Sequence, residues 1–416
     1  MKKSLLMPKS LNTHLHKRID METLAINGGA PVYNGCFPRW PQWGAKEEAN
    51  LMKVAESKSW GTLGNFALSF AKRFAEFVGV PHAIAVNSGT RALELILRGA
   101  AIGRGDEVIV SPYTFSATVS AIAYIGAMPV FADVDERTGN IDAESVAKHI
   151  TAKTKAVMAV HIGGYPCDMD ALKAVTSEHG LLLIEDCAHA HGSAWRNQMC
   201  GGIGDAAGFS FQNSKVLPAG EGGMITTGNE DLFERCWRFH HSGRAFGGRE
   251  GLTGKTLMGT NARMAEWQAA VLDAQLDRLP EQCAHRQKSI RAIMSGLADL
   301  PGIILPPEDP RVTALSGFLF QFQWKGSKAS RDEFVQALRA EGIPCSAGYV
   351  PLHRMNLLQD PAFEKATGKK FEQNEVLAAA DELSKTAVWF TNNVLLAEAE
   401  IIDKVVQAVK KVATQL

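Results

Sequence analysis

Residues 181–192 read LLLIEDCAHAHG and residues 204–224 read GDAAGFSFQNSKVLPAGEGGM. Leu181 to Ile184 is an apolar run that ends in Glu185-Asp186. A buried run ending in a carboxylate reads as a parallel strand that delivers an acid to the carboxyl edge of a sheet. Further on, GFSF leads into Lys215, and a GEGG turn follows. A lysine set among Ser210, Phe211, Asn213 and a Gly-rich turn is badly placed for a solvated surface group. An acid and a lysine at one edge of an α/β sheet suit pyridoxal phosphate, whose ring nitrogen pairs with an Asp and whose aldehyde forms a Schiff base with a Lys.

Working outward, the chain alternates helices and strands. A helix is expected over 45–57, and apolar residues over 70–78 have helical spacing. Strands are expected over 82–86, 107–111, 129–134, 156–162, 208–211 and 223–227. Helices fall over 91–101, 116–125, 143–150, 169–178, 231–241 and 264–279. Repeated strand–helix units of this length predict a mainly parallel, helix-covered sheet. Pro280 reads as a domain junction. Beyond it, GFLFQFQW (317–324) alternates as a strand, 331–341 is helical, and the chain ends in a helix over 398–412. The expected organisation is a loose extension over 1–20, a large domain over 21–279 with its N-terminal segment, and a smaller α+β domain over 280–416. Met21 can serve as a start.

The 416 residues are 46% hydrophobic and 21% charged, with 44 basic and 44 acidic side chains. This balance speaks against nucleic acid or an anionic membrane as partner. No apolar run approaches the roughly 20 residues of a membrane span. Seven scattered cysteines without a CxxC fit reduced thiols in a cytoplasmic enzyme, not a disulfide framework or a zinc site, and no metal is expected. Gly202-Ile203-Gly204-Asp205-Ala206-Ala207 matches a loose dinucleotide fingerprint, but the GFSFQ after it reads as a strand where a helix is required.

Each candidate group has an ordinary reading. A lysine in a loop is commonly solvated, and an Asp after a strand commonly caps a turn. Ser88 or Thr90 can simply cap a helix, Phe115 can be core, and His189 can be a hydrogen-bonded core residue. Trp60, in SWGTLGN, divides evenly between packing and a substrate contact. Their combination points elsewhere. Asn87-Ser88-Gly89-Thr90 joins a strand to a helix start, whose free N–H groups and dipole make an anion site that a phosphate can fill.

The motifs NSGTRAL (87–93), SPYTFSAT (111–118), HIGGYPCDMDAL (161–172), IEDCAHAHG (184–192), FSFQNSKVLPAGEGG (209–223), GTNARMAEWQAA (259–270) and YVPLH (349–353) resemble the DegT/DnrJ/EryC1/StrS family of pyridoxal-phosphate aminotransferases, over nearly all of residues 24–412. The resemblance implies the fold of type I, aspartate-aminotransferase-like enzymes. It makes Lys215 the Schiff-base lysine and Asp186 the partner of the ring nitrogen. His189 would lie near the ring hydroxyl, Phe115 would stack on the ring, and Gly89, Thr90 and Ser210 would hold the phosphate. Asn261 would reach the phosphate of a neighbouring subunit, which implies a homodimer with shared active sites. Trp60, Tyr349 and His353 are candidate substrate contacts.

SFQNSK and VWFTNNVLLA are similar to the branch that makes 3-amino-5-hydroxybenzoate or aminates cyclitol ketones with glutamine. Pro218 stands where Thr or Ser is usual, and Gly348 where a His often precedes the Tyr. The implied reaction moves an amino group from glutamate or glutamine to a ketone of a sugar nucleotide, cyclitol or related ring. Two alternatives remain open: a dehydrating, aromatising enzyme of the aminohydroxybenzoate type, and a non-catalytic cofactor-binding regulator. Sugar dehydratases of the family carry His in place of the lysine, so Lys215 ranks that chemistry lower. The loops 59–65 and 246–257 are expected to bear on the acceptor.

Overall fold

The computed structural model describes residues 23–61, 64–248, 258–372 and 376–416. The expected extension over 1–20, Met21, and parts of both acceptor loops lie outside the described residues.

A seven-stranded sheet forms the centre. Its strands are β1 (His82–Val86), β2 (Glu107–Val110), β3 (Met128–Phe131), β4 (Thr154–Val160), β5 (Leu182–Asp186), β6 (Ala206–Ser210) and β7 (Gly223–Thr227), in the order β1-β7-β6-β5-β4-β2-β3. From β6 to β3 every neighbouring pair is parallel. β7 runs against both β6 and β1. The reversal has a local cause: residues 211–222 return as a loop from β6 to β7 with no crossover helix, and a short return allows only antiparallel pairing. That loop carries Lys215.

Alternate residues of these strands enter two different cores, as the pleat requires. Ile84, Val86, Val108, Val110, Met158 and Ile184 face one layer, packed with the helices α3 (Gly89–Gly99), α4 (Ser116–Tyr124) and α7 (Glu230–His240). Ala85, Ile109, Val157, Leu183 and Phe209 face the other, with α2 (Asn65–Val78), α5 (Ala143–Lys148), α6 (Met169–His179) and the first half of α8 (Glu266–Leu297), against which α1 (Ala45–Ser57) packs. A sheet buried on both faces explains why its strands read as nearly continuous apolar runs.

A second sheet of four antiparallel strands stands beside the first: β8 (Ile303–Ile304), β9 (Leu319–Trp324), β10 (Ser346–Ala347) and β11 (Ala387–Thr391), in the order β8-β9-β11-β10. Phe320, Phe322 and Trp324 form a third core with Phe334, Phe390, Val405 and the second half of α8.

Two expectations need correction. Pro280 does not end the helix expected over 264–279: it lies inside α8, which runs unbroken for 32 residues and passes from the large sheet's core to the third core between Cys283 and Ile290. An interior proline costs about 3 kcal/mol. Here Leu272, Leu276 and Leu279 before it, and Cys283, Ile290, Ile293 and Leu297 after it, are all buried and outweigh that cost. The N-terminal segment also belongs elsewhere than expected. Leu24 joins the third core, with Val32, Tyr33 and Phe37 against it. Glu341 holds it there by accepting the N–H groups of Ala25 (2.8 Å) and Val32 (3.0 Å) while pairing with buried Lys411 (3.0 Å).

Candidate active site

The carboxyl ends of β1, β2, β4, β5 and β6 open on one edge, where the sheet's backbone groups run out and side chains must take over. Asp186 closes β5 and is 5% exposed. Its Oδ2 accepts the Thr118 hydroxyl of α4 (2.9 Å), and its Oδ1 accepts the Ala188 N–H (3.1 Å). Burial pushes this carboxyl above its ordinary range, while the two hydrogen bonds and the charge of Lys215 pull the other way. Such a carboxylate is poised to take a cationic N–H partner.

Lys215 sits in the loop between β6 and β7, which is pinned along its length. Phe211 bonds to Gly222 (2.8 Å), Asn213 to Gly220 (3.0 Å), and the Lys215 N–H to the Gln212 carbonyl (2.9 Å). Two distant side chains hold the loop from outside. The Trp40 indole donates to the Lys215 carbonyl (3.1 Å), and the Asn392 amide donates to the Ser214 carbonyl (2.8 Å). The Lys215 amine lies 4.6 Å from the centre of the Phe318 ring. Trp40 is itself backed by the buried Arg286 guanidinium, 5.0 Å from its ring.

Burial lowers the Lys215 amine from 10.5 to about 8, with Asp186 opposing the shift. At pH 7 roughly a tenth of the amine is then neutral, against about 0.03% for an ordinary lysine. Only the neutral amine attacks a carbonyl. The rate at which cofactor-free protein captures an aldehyde cofactor is therefore expected to rise about tenfold per pH unit and level off near pH 8. Stopped-flow absorbance across pH 6 to 10 measures this, and a rate still rising tenfold per unit up to pH 10 would place the amine in water. The sign for stability agrees. Between about 8 and 10.5 the unfolded chain holds a proton that the folded chain has lost, so cofactor-free protein gains stability with rising pH in that window.

His189 stacks on Phe318 (4.2 Å, 28°), and its Nδ1 accepts the Gly163 N–H (3.3 Å). That bond leaves the ring proton on Nε2, which can donate to an oxygen on a bound ring. Burial, with the Lys215 charge second, holds the imidazole well below its ordinary value, so it stays neutral.

The turn after β1 has the form of an anion site. Ser88 is the N-cap of α3 and accepts the Arg91 N–H (3.2 Å). Gly89 and Thr90 then supply the first-turn N–H groups. Gly89 must lack a side chain, because a Cβ there would stand 2.7 Å from the Cβ of Ser210. Ser210 ends β6, half-buried, beside that glycine. Phe115 precedes α4 and is 58% exposed, free to cover a ring on the open side.

The remaining expected residues lie further out. Asn261 is exposed and bridges to His241, while its neighbour Ala262 accepts the Asn87 N–H (2.9 Å) just ahead of the phosphate turn. Trp60 is exposed and lies 5.8 Å from Trp267. Tyr349 is half-buried against Trp389 (4.7 Å), and burial, then the Asp186 charge, pushes its phenol up. His353 turns away from this group: its Nε2 pairs with Asp381 (3.0 Å), and its ring faces Phe131 on the outermost strand β3.

A buried cluster beneath Asp186 has metal-ligand spacing, with His161, Glu185 and Cys187 offering atoms within 4.8 Å of one another. The acceptor positions of its carboxylate and imidazole are already used. Glu185 accepts from His161 Nε2 (3.0 Å) and from the N–H groups of Gly201, Ile203 and Gly204 (2.9, 2.9 and 2.7 Å), and His161 Nδ1 accepts the Cys167 N–H (3.0 Å). The cluster braces the end of β5, and deleting one member of such a buried pair costs about 3–5 kcal/mol.

Thr118, Trp40, Phe318 and Asn392 were not anticipated as site residues. Thr118 had a signal, one helical turn after Phe115 within SPYTFSAT. The other three act from other parts of the chain; Asn392 lies in VWFTNNVLLA and Phe318 in GFLFQFQW, but neither pattern shows that its residue reaches the Lys215 loop.

A weakly basic buried lysine, a buried carboxylate tied to it electrostatically, and a glycine-cleared helix start suit one cofactor, pyridoxal phosphate. These groups define a PLP-dependent enzyme of fold type I. Within that class the chain belongs to the DegT/DnrJ/EryC1/StrS aminotransferase family, which it matches over residues 41–410. It is a PLP-dependent aminotransferase. The L-glutamine:2-deoxy-scyllo-inosose aminotransferase of Streptoalloteichus tenebrarius is 35% identical over 418 aligned residues, covering 94% of this chain and 97% of that protein. The 3-amino-5-hydroxybenzoate synthase of Amycolatopsis mediterranei is 35% identical, covering 87% and 93%. A crystal structure of 3-amino-5-hydroxybenzoic acid synthase superposes with a TM-score of 0.84 at 32% identity, covering 93% of this chain and all of that one.

Proposed function

We propose that this aminotransferase takes its amino group from glutamine or glutamate and delivers it to a ketone on a cyclitol, sugar nucleotide or related ring. The supporting observation is the near full-length likeness to a glutamine:inosose aminotransferase, together with the placement of Lys215, Asp186 and His189. Bound pyridoxal phosphate supplies an electron sink for the bond-breaking step. Asp186 keeps the ring nitrogen protonated. His189 donates to the ring oxygen, and Gly89, Thr90 and Ser210 take the phosphate. Lys215 would anchor the cofactor and carry a proton between substrate carbon and cofactor carbon, and an amine titrating near 8 can both take and return that proton.

Incubation with glutamine or glutamate and 2-deoxy-scyllo-inosose, followed by mass spectrometry, tests the reading. It predicts an aminated ring and a matching keto acid. Failure with every cyclitol and nucleotide-sugar ketone offered would refute the acceptor class. The likeness to 3-amino-5-hydroxybenzoate synthase supports a second reading, in which the product has lost water and gained an aromatic ultraviolet band.

The working form in this proposal is a cytoplasmic homodimer whose two sites are shared, without nucleic acid or membrane as partner. Asn261 reaches the partner's phosphate. Lys215→Ala and Asn261→Ala chains, each impaired alone, should regain about a quarter of wild-type activity after random exchange, since half the dimers carry one intact site of two. Zero recovery under confirmed exchange would put Asn261 in its own subunit's site. Among the described residues no helix is long and apolar enough to cross a membrane.

A further inference from the structure

We propose that Tyr113 and Gly348 form a matched pair that positions Tyr349 toward the ring acceptor, and that the absence of a side chain at 348 helps to determine which acceptor fits. This deepens the acceptor reading above and rests on it.

Tyr113 leaves the large sheet just after β2 and inserts into the small one. It is fully buried, and its hydroxyl donates to Gln321 Oε1 on β9 (3.2 Å). The Trp389 indole on β11 donates to that same oxygen (2.7 Å). Tyr113 is thus a polar bolt where the two sheets meet, in a core that Ala387 and Trp389 of β11 share with Val108, Val110 and Met158 of the large sheet. Gly139 backs it: a Cβ there would lie 3.1 Å from Cδ1 of the tyrosine. The segment bearing Tyr349 is fastened to the same place. Gly348 bonds to the Ala387 carbonyl (3.1 Å), and Leu352 bonds to the Pro112 carbonyl (2.8 Å). The Tyr349 ring meets Tyr113 edge to face at 5.9 Å and Trp389 at 4.7 Å.

Residue 348 has no room for anything larger. A Cβ there would stand 2.0 Å from the Tyr113 hydroxyl and 2.7 Å from the Ala387 Cβ. The hydroxyl occupies the space in which a side chain at 348 would begin, so a tyrosine at 113 and a side chain at 348 exclude each other. Any substitution at 348 must move either the bolt or the strand end that leads into Tyr349. Tyr113 is therefore a positioning residue, acting through Tyr349.

The test uses the holoenzyme and measures the two half-reactions separately. Gly348→Ala is expected to slow the acceptor half-reaction by roughly 10- to 100-fold, the range expected for contacting residues. The donor half-reaction, followed by cofactor absorbance, should stay within about twofold, since Lys215, Asp186 and His189 are untouched. Tyr113→Phe removes the atom at 2.0 Å and leaves the ring carbon at 3.3 Å. In the double variant Tyr113→Phe/Gly348→Ala only the Ala387 Cβ at 2.7 Å still crowds the new methyl, so part of the acceptor rate should return. Equal slowing of both half-reactions, or a double variant no better than Gly348→Ala, would overturn the proposal. Should Gly348→Ala fail to fold, the double variant against Tyr113→Phe alone gives the same comparison. A wild-type enzyme that no amino donor discharges would instead overturn the aminotransferase reading.

Discussion

Lys215→Ala should lower turnover by roughly 10,000-fold or more, because in the proposed reaction it removes the covalent anchor and the proton carrier in one change. The loss should not reflect misfolding. The loop around Lys215 is held by backbone bonds within 211–222, by Trp40 and by Asn392, and the Trp40 and Asn392 bonds end on carbonyls that the substitution leaves in place. Removing a buried, partly charged amine also lifts a desolvation cost, so the variant should melt no lower than wild type without cofactor. Small primary amines added to the assay should restore part of the rate by entering the space beside Phe318. Retained activity above about a hundredth of wild type would show that another group moves the proton.

Asp186→Asn should have the second largest effect. The substitution keeps the shape and the Thr118 contact but removes the charge that holds a proton on the ring nitrogen. Loss of one charge-assisted partner at a buried site is expected to slow the donor half-reaction by about 100- to 1,000-fold. Cofactor should still bind, since Gly89, Thr90 and Ser210 hold the other end. A rapid-mixing experiment with glutamine that shows wild-type rates would remove Asp186 from its assigned place.

The parts of the fold legible in the sequence are those fixed by local pattern. Apolar runs and the turns between them mark β1 to β6, and the carboxylate at the end of one run places Asp186 at the working edge. The direction of β7 was not legible, because GMITT reads the same in either direction and only the missing crossover sets it. Pro280 misled for a related reason: its local penalty is real, but both halves of α8 pack against cores built by distant residues. VWFT gave no strand expectation at all, yet β11 is the middle of the small sheet.

The site divides along the same line. Lys215, Asp186, His189, Gly89, Thr90 and Ser210, the residues proposed to hold the cofactor, lie at strand ends and in the turns after them, where residue type and position make them candidates. Trp40 and Phe318 bear on Lys215 only because the N-terminal segment and β9 cross the chain to reach it. Tyr349 has the aromatic setting a substrate contact needs. His353, four residues later in the same motif, is taken up by Asp381, a pairing set by a helix that the motif does not contain.

The central claim is that Lys215 holds the cofactor and yields it to an amino donor. Borohydride reduction of the purified holoenzyme, followed by peptide mass mapping, tests both halves. The account predicts the cofactor mass on the peptide containing Lys215, and its loss from that peptide when glutamine or glutamate is added before the borohydride. Cofactor fixed on any other lysine, or cofactor on Lys215 that no amino donor releases, would contradict it.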